Sequence, residues 1–306
     1  MREGNGGREP VPVERGRVRL TLGSAYFRCK RYAQWYLGGT RYASERLPRD
    51  EGAERFPHIV VEHRTPLFRD LAGMEHWLQA NKVHNLRLAV QRLDGLRLQP
   101  GETLSVWKLV GRPSKRRGYL PGMILVNGEI RTGYGGGLCQ LSNLLYWMTV
   151  HTELTVTERY RHQYDVFPDA NRTLPFGSGA TIAYNYIDLQ IRNDTDEEYY
   201  LRLDVTDSHL VGAWCCRLPA RFQYEIIERH HRITQHPSGK YIRHNQLWRR
   251  RWDLSSGTLV DETLLVENHA LMMYSPLLLS GTEGSAPHAA GPSEQETATT
   301  NYPLFM

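Results

Sequence analysis

The amino-acid sequence predicts an α+β fold with N-terminal helices, a central helix inserted among antiparallel strands, and a β-rich C-terminal half. Two observations predict it. Apolar residues recur with a helical period in residues 76–93 and again in residues 139–148. After His151, short alternating runs are separated by turn residues, which is typical of antiparallel strands. Helices and strands thus occupy different parts of the chain, unlike the alternating order of a doubly wound α/β fold.

The first elements are predicted as two helices joined by a linker. The first helix is expected over residues 24–46, and the linker over residues 47–66. The second helix, 76–93, carries an apolar face at helical spacing, and Gly95 follows it as a stop signal.

A hairpin and a series of strands follow. Part of the segment GETLSVWKLVG alternates like a strand, and Asn127-Gly128 between two apolar runs predicts a hairpin turn. The later strands are expected at residues 154–160, 180–183, 187–192, 199–205, 211–217, 221–228, 240–252 and 258–267.

Composition indicates a soluble globular protein. The chain has 306 residues, of which 40% are hydrophobic and 23% charged. It contains no apolar run long enough to cross a bilayer and no secretory leader, so we expect a cytoplasmic location. We expect three regions: a basic arm and linker over residues 1–75, the α+β domain over 76–270, and a largely disordered tail over 271–306.

Positive charge is concentrated at the N-terminus. Residues 1–46 hold ten Lys or Arg and four Glu, a balance of +6, so the rest of the +5 chain is at −1. This basic arm is rich in aromatic residues and suits a peripheral contact with an anionic membrane, at the inner membrane surface. The alternative is a solvated arm whose aromatic residues pack on the main domain. No nucleic-acid motif is present, so we expect no nucleic-acid partner.

The most informative segment is YGGGLCQLSNLLYWMTVH, residues 134–151, in which a glycine run leads into a helix that begins at a cysteine. One face of that helix is apolar. The other is a polar stripe of Cys139, Ser142, Asn143 and Tyr146. Helix N-termini favour thiolate, so Cys139 is a candidate nucleophile. The alternative is a small buried residue at the start of a core helix.

A thiol enzyme needs a base and a group that orients it. His162 is the candidate base, and Asp188 or Asp165 the candidate orienting group. The backbone N–H groups of Cys139 and Gln140 would stabilise an oxyanion. The alternatives are a hydrogen-bonded structural histidine and N–H groups that are hydrated as at other helix starts.

The glycines suggest a second kind of site. Gly135, Gly136 and Gly137 precede a helix N-terminus and would cradle a phosphate or carboxylate. The Lys-Ser/Thr that completes a nucleotide-binding loop is absent. A histidine-rich patch matches no metal-ligand spacing, so we expect no metal and no cofactor. Its members are His230, His231, His236 and His244.

Four segments together resemble the VanW family, the accessory proteins associated with B-type vancomycin-resistance clusters. They are NKVHNLRLAVQRLDGLRLQPGETLSVWKLVG, GGGLCQLSNLLYW, ERYRHQYDVFPD and DLQIRNDTDEEYYL. The resemblance spans residues 81–218 and implies a role in glycopeptide resistance and cell-envelope biology. It supplies no catalytic set, although Cys139, Gln140, Ser142 and His162 match the family pattern.

Our first interpretation is therefore an accessory protein that recognises a peptidoglycan precursor or cell-wall peptide in a cleft at the start of the cysteine helix. The ligand would contact the glycine turn, Gln140, the polar stripe and Asp165. One alternative is a hydrolase or acyltransferase that uses Cys139, His162 and Asp188 on a cell-wall peptide. Another is a scaffold that docks envelope proteins through the basic arm.

Overall fold

The computed structural model describes residues 17–68, 75–126, 129–161, 164–166, 174–275 and 300–302. The chain divides into two compact units, Met1–Gly39 and Thr40–Met306. The described part of the first unit is helix α1, Arg17–Leu37. None of the helices described is long and apolar enough to span a membrane.

The second unit holds the remaining described elements. Its helices are α2 (Arg49–Arg55), α3 (His76–Leu93), α4 (Val106–Val110) and α5 (Cys139–Thr149). Its first strands are β1 (His58–Pro66), β2 (Leu96–Leu98), β3 (Thr103–Ser105), β4 (Pro121–Val126), β5 (Glu129–Tyr134), β6 (Thr155–Glu158), β7 (Tyr164–Asp165) and β8 (Gln190–Arg192). The later strands are β9 (Tyr199–Val205), β10 (His209–Cys216), β11 (Phe222–Gln235), β12 (Tyr241–Asp253), β13 (Leu259–Met272) and β14 (Thr300–Tyr302).

Helix α5 lies against the antiparallel sheet ordered β1-β10-β9-β2. Its apolar face is fully buried, with Leu141, Leu144, Leu145 and Met148 each 0% exposed. Gly212 of β10 lets the helix approach, because a Cβ there would lie 2.8 Å from the Met148 methyl and 3.0 Å from Leu144. The predicted central helix and the apolar face of α5 are thereby confirmed.

The other sheets complete the β-rich half. Strands β11, β12 and β13 form long antiparallel pairs, and β7 joins β13 in parallel at Met272. Strand β8 lies between β3 and β6, and β4 pairs with β5 as the predicted hairpin. The turn residues Asn127 and Gly128 lie outside the described residues. The predicted α+β class is confirmed.

Several predicted elements differ from the structure. The first helix ends at Leu37, before Gly38 and Gly39, whereas we predicted residues 24–46. The segment predicted as a linker holds α2 and β1, and β1 is stabilised by pairing with β10 along its length. Sequence-local patterns do not report such long-range pairing.

The segment GETLSVWKLVG changes from strand to helix after Ser105. The Ser105 hydroxyl accepts a hydrogen bond from Lys108 N, so it caps α4 and ends β3 after three residues. Residues 180–183, predicted as a strand, make only isolated bridges from Thr181 and Ala183. In the predicted disordered tail, β13 reaches Met272 and Thr300–Tyr302 pairs with β11.

Candidate functional site

The glycine turn before α5 uses its own backbone donors. Gly135 N donates to Leu120 O, Gly136 N to Gly133 O, and Gly137 N to Met123 O, at 3.2, 3.1 and 2.9 Å. These three N–H groups are the ones that sequence reasoning assigned to a phosphate or carboxylate. Since each is already bonded to a carbonyl, an anion would reach them only if those bonds opened.

Close packing explains why glycine occupies these positions. A Cβ on Gly136 would lie 2.0 Å from the backbone carbon of Gly122 in β4, and one on Gly137 would lie 2.2 Å from Cγ of Lys82 in α3. Gly135 and Gly137 also have positive φ, of 77° and 90°. The turn is therefore shaped by its contacts with α3 and with the β4–β5 hairpin.

Asn85 of α3 holds the turn and the hairpin together. Its side chain, 0% exposed, donates from Nδ2 to Leu120 O and to Gly136 O, both at 3.0 Å. Its Oδ1 accepts from Leu120 N at 2.8 Å. Asn81 adds a bond from Nδ2 to Pro121 O at 2.7 Å. We did not predict a role for these asparagines, although a polar pair inside an apolar helical pattern is a signal for buried hydrogen bonds.

Cys139 begins α5 and is partly exposed. Its Sγ is 3.8 Å from Ile182 O, and within the described chain no imidazole or carboxylate hydrogen-bonds the sulfur. Burial raises the pKa of the Cys139 thiol, and this outweighs the opposite effects of its backbone hydrogen bonds. The direction is opposite to the one we expected from a helix N-terminus, so the surroundings favour the protonated thiol.

The polar stripe of α5 faces a loop of the same chain. Ser142, 0% exposed, donates from Oγ to Ala180 O at 2.6 Å. Asn143 Oδ1 accepts from Ala180 N at 2.7 Å. Together with the bond from Cys139 to Ile182, these contacts cover much of the stripe with residues 178–183 and leave Cys139 and Asn143 partly exposed. The predicted lining residues are brought together, but as partners of the loop rather than as the wall of an open cleft.

Tyr146 and Arg159 extend the same contact. Tyr146 is 4% exposed, and the Arg159 guanidinium lies 3.9 Å from the centre of its ring. Arg159 donates from Nε and Nη2 to Gly179 O at 2.9 and 2.7 Å, and also to Gly177 O. Burial lowers the pKa of Arg159 to about 10, so it remains a cation at neutral pH. Sequence reasoning missed Arg159.

Gln140 connects the helix start to the end of β1. Its Nε2 donates to Thr65 Oγ1 and to Pro66 O, both at 2.9 Å. Its backbone N–H donates to Gly137 O at 3.0 Å, so the proposed oxyanion donor is also engaged. Gln140 and Cys139 keep part of their surface exposed, as does Asn143. These three side chains are the accessible edge of the helix start.

Asp188 has other partners than Cys139. It is 0% exposed and accepts from the Ser105 hydroxyl, from Trp107 N at 3.0 Å and from Leu189 N at 2.9 Å. The carboxylate thus holds the start of α4 beside β8. These buried hydrogen bonds position the backbone of both elements, which is a structural use of the carboxylate.

Asp165 lies in β7, at one edge of the five-stranded sheet ordered β14-β11-β12-β13-β7, here called the long-stranded sheet. It pairs with Arg243 of β12. The Arg243 Nε to Asp165 Oδ2 distance is 3.2 Å, and the two side chains are 4% and 3% exposed. Tyr274 donates its hydroxyl to the same Oδ2 at 2.9 Å. These two partners of Asp165, Arg243 and Tyr274, lie in or next to the long-stranded sheet and not at the start of α5. His162, the predicted base, lies outside the described residues.

Two histidines near the end of α5 were missed. The centre of the His151 ring lies 4.8 Å from the centre of the Trp147 ring. The centre of the His63 ring, in β1, lies 6.2 Å from the same Trp147 ring. His151 donates from Nδ1 to Trp147 O, and its Nε2 has no hydrogen-bond partner among the described residues. Burial lowers the pKa of each imidazole to about 4. A lone histidine in sequence carries no signal for such burial.

A shallow cavity of about 290 Å³ lies on the four-stranded sheet, away from the polar stripe of α5. Charged side chains line it, and they pair with one another: Arg202 with Glu62 at 3.3 Å, and Arg49 with Asp204 at 3.4 Å.

Over the described ranges, no group of three or more His, Cys, Asp or Glu is arranged to hold a metal.

The fold and the helix start together define a class: an α+β domain in which a glycine turn and a cysteine-led helix pack on an antiparallel sheet. The family model described as VanW like protein matches residues 81–215, which include α3 from Asn81 onward, the glycine turn and α5. The chain belongs to the VanW family, as the resemblance of its motifs predicted.

The chain is also similar in sequence to two individual proteins. Vancomycin B-type resistance protein VanW of Enterococcus faecalis (strain ATCC 700802 / V583) is 33% identical over 261 residues, which cover 84% of this chain and 94% of that protein. Uncharacterized protein YoaR of Bacillus subtilis (strain 168) is 30% identical over 125 residues, covering 40% of this chain and 39% of that protein. No solved structure matches the chain.

Proposed function

We propose that this protein acts in bacterial resistance to glycopeptide antibiotics, as an accessory protein of the VanW type. The observation that carries the proposal is the similarity to the Enterococcus faecalis resistance protein, which extends over 94% of that protein's length. A shared motif alone would support a common fold; similarity over nearly the whole relative supports a common role.

The ligand in this proposal is a peptidoglycan precursor or cell-wall peptide, bound on the cytoplasmic side at the start of α5. The accessible side chains there are Cys139, Gln140 and Asn143, all partly exposed. The Nε2 group of Gln140 donates to Thr65 and Pro66, so the amide would recognise a peptide through Oε1, which accepts from a peptide N–H. Ser142 and Tyr146 are buried, so their role is to hold the loop at residues 178–183 in place.

Deletion tests the resistance role. In a glycopeptide-resistant strain that expresses this chain, deletion of its gene should lower the minimal inhibitory concentration of vancomycin at least about fourfold. Re-expression of the unchanged chain should restore it. An unchanged inhibitory concentration after deletion would contradict the proposed role.

Substitution of Gln140 tests the location of the site. Gln140→Ala should restore resistance less well than Gln223→Ala, an exposed glutamine on β11 that serves as the matched control. Calorimetric titration of a D-alanine-terminated cell-wall peptide into the two purified variants should show weaker binding for Gln140→Ala. Equal binding by two equally stable variants would remove the site from the start of α5.

Gly136 is unsuited to this test. A side chain there would meet the Gly122 backbone at 2.0 Å, so a substitution would perturb folding before it reported on a ligand.

A further inference from the structure

Helix α1 carries a continuous apolar stripe on its solvent-exposed surface. Residues at helical spacings of three and four form it, and every one of them is exposed. They are Leu22, Tyr26, Cys29, Ala33, Tyr36 and Leu37. Leu22 is 67% exposed, Tyr36 is 70% exposed and Leu37 is 85% exposed. A row of large apolar side chains in water is unfavourable, and such rows mark interaction surfaces.

The charges of α1 have a single sign. Its sequence, RVRLTLGSAYFRCKRYAQWYL, contains four arginines and one lysine and no acidic residue. Elsewhere in the chain acidic residues are abundant, since the 306 residues include 33 Asp or Glu. Arg31 is only 6% exposed, whereas Lys30 is exposed and lies on the same side of the helix as the stripe. The helix therefore presents an apolar stripe flanked by a cation and by no carboxylate, which complements a surface that is anionic outside and apolar beneath.

Two further features favour a lipid surface over a second copy of the chain. Two such helices side by side would bring together ten cations without a compensating carboxylate. The stripe also includes two tyrosines, whose rings are apolar and whose hydroxyls remain hydrated at the level of lipid headgroups. The helix is too polar to span a membrane, so it would lie in the plane of the interface.

We infer that α1 attaches this protein to anionic membranes, with the stripe from Leu22 to Leu37 inserted among the lipid headgroups and the exposed Lys30 paired with lipid phosphates. This attachment is independent of the proposed ligand site on α5. Binding of α1 requires an anionic lipid bilayer. Soluble phosphate would not replace the bilayer, because the stripe needs an apolar phase.

Vesicle flotation of the full-length protein tests the inference. Vesicles of phosphatidylglycerol and phosphatidylcholine should carry the protein to the top of the gradient, and vesicles of phosphatidylcholine alone should not. The double variant Leu22→Glu with Tyr36→Glu should abolish flotation, whereas Leu218→Glu, a control at a 58%-exposed leucine outside the helix, should leave it unchanged. Lys30→Gln should weaken vesicle binding by about fivefold and reduce its dependence on salt.

Each alternative outcome has a definite meaning. Equal flotation with neutral vesicles, or unchanged flotation of the double variant, would overturn the inference. A protein that does not float but forms a concentration-dependent dimer in analytical ultracentrifugation would also overturn it. That result would assign the stripe to contact with a second copy of the chain. Lys30→Gln keeps the test valid if the double variant is unstable, because it alters one charge and leaves the stripe intact.

Discussion

Cys139 shows how the surroundings of one sulfur atom change its expected chemistry. The sequence places it where a helix N-terminus favours thiolate. The structure places its Sγ against the Ile182 carbonyl, in surroundings that raise the thiol pKa. Desolvation depends on residues more than forty positions away, and no local pattern could reveal it.

The pH dependence of alkylation tests this arrangement. In a variant with Cys29, Cys215 and Cys216 replaced by serine, Cys139 should alkylate with a midpoint above the ordinary thiol value of about 8.5, because burial disfavours the thiolate. Rates are measured with iodoacetamide between pH 6 and 10. The exposed Cys29, alone in a matched variant, is the control. A midpoint below 8.5 for Cys139 would instead support the thiol-enzyme interpretation.

Asn85 is the residue on which the glycine turn most depends. Asn85→Ala would remove three hydrogen bonds, so Leu120 N and the carbonyl of the buried Gly136 would lose their Asn85 partner, while Leu120 O would keep its bond from Gly135 N. We expect the free energy of unfolding to fall by about 3 kcal/mol. Urea denaturation measures it, with Arg87→Ala on the exposed face of α3 as the control. Equal midpoints for the two variants would be inconsistent with a structural role of Asn85.

At the level of elements, periodic segments were predicted well and contact-dependent ones were not. The boundaries of α3 and α5 follow their apolar periods, and β9 has the predicted bounds. The strand β1 was missed because its stability comes from pairing with β10, which is distant in sequence. The same reasoning grouped the α5 polar stripe correctly but could not show that a loop covers it.

The histidines around Trp147 make α5 and β1 sensitive to acid. In the folded state the pKa of His151 is about 4, whereas the ordinary value is about 6.5. Between these values the unfolded chain binds the proton and the folded chain does not, so the free energy of unfolding decreases as pH falls from 6.5 to 4. For the 3%-exposed His151 the loss amounts to about 3 kcal/mol.

Urea denaturation at pH 7 and pH 4.5 measures this effect. His151→Gln should reduce the change in unfolding free energy between the two pH values without abolishing it, because the pKa of His63 is also lowered to about 4. The exposed His231→Gln should leave the change as it is. If His151→Gln retains the full acid sensitivity, the buried imidazole is not its source.

For the whole second unit, the loop at residues 174–183 connects α5 to the long-stranded sheet. On one side it bonds Ser142 and Asn143 of α5. On the other, Asn245 of β12 donates from Nδ2 to Phe176 O at 2.9 Å. None of these contacts was predictable from sequence, because they join segments that are separated by tens of residues.

Removing Arg159 should loosen this connection. Arg159→Met keeps the aliphatic stem but loses the bonds to Gly177 O and Gly179 O, so we expect a loss of about 2 to 3 kcal/mol in unfolding free energy. Hydrogen exchange should show faster amide exchange at Ala180 and Thr181. Arg217→Met, at an exposed arginine, is the control. Unchanged exchange at both amides would contradict the role assigned to Arg159.

The packing of the three glycines also bears on how the sequence can diverge. Gly135, Gly136 and Gly137 each face a different neighbour, namely Pro113, Gly122 and Lys82. A mutation at any one of them would need its own compensating change, and at Gly136 the obstacle is backbone, which no side-chain replacement relieves. Selection for a folded domain is therefore enough to retain the glycine run during evolution. Its retention in a relative would report on architecture, whether or not that relative shares a ligand.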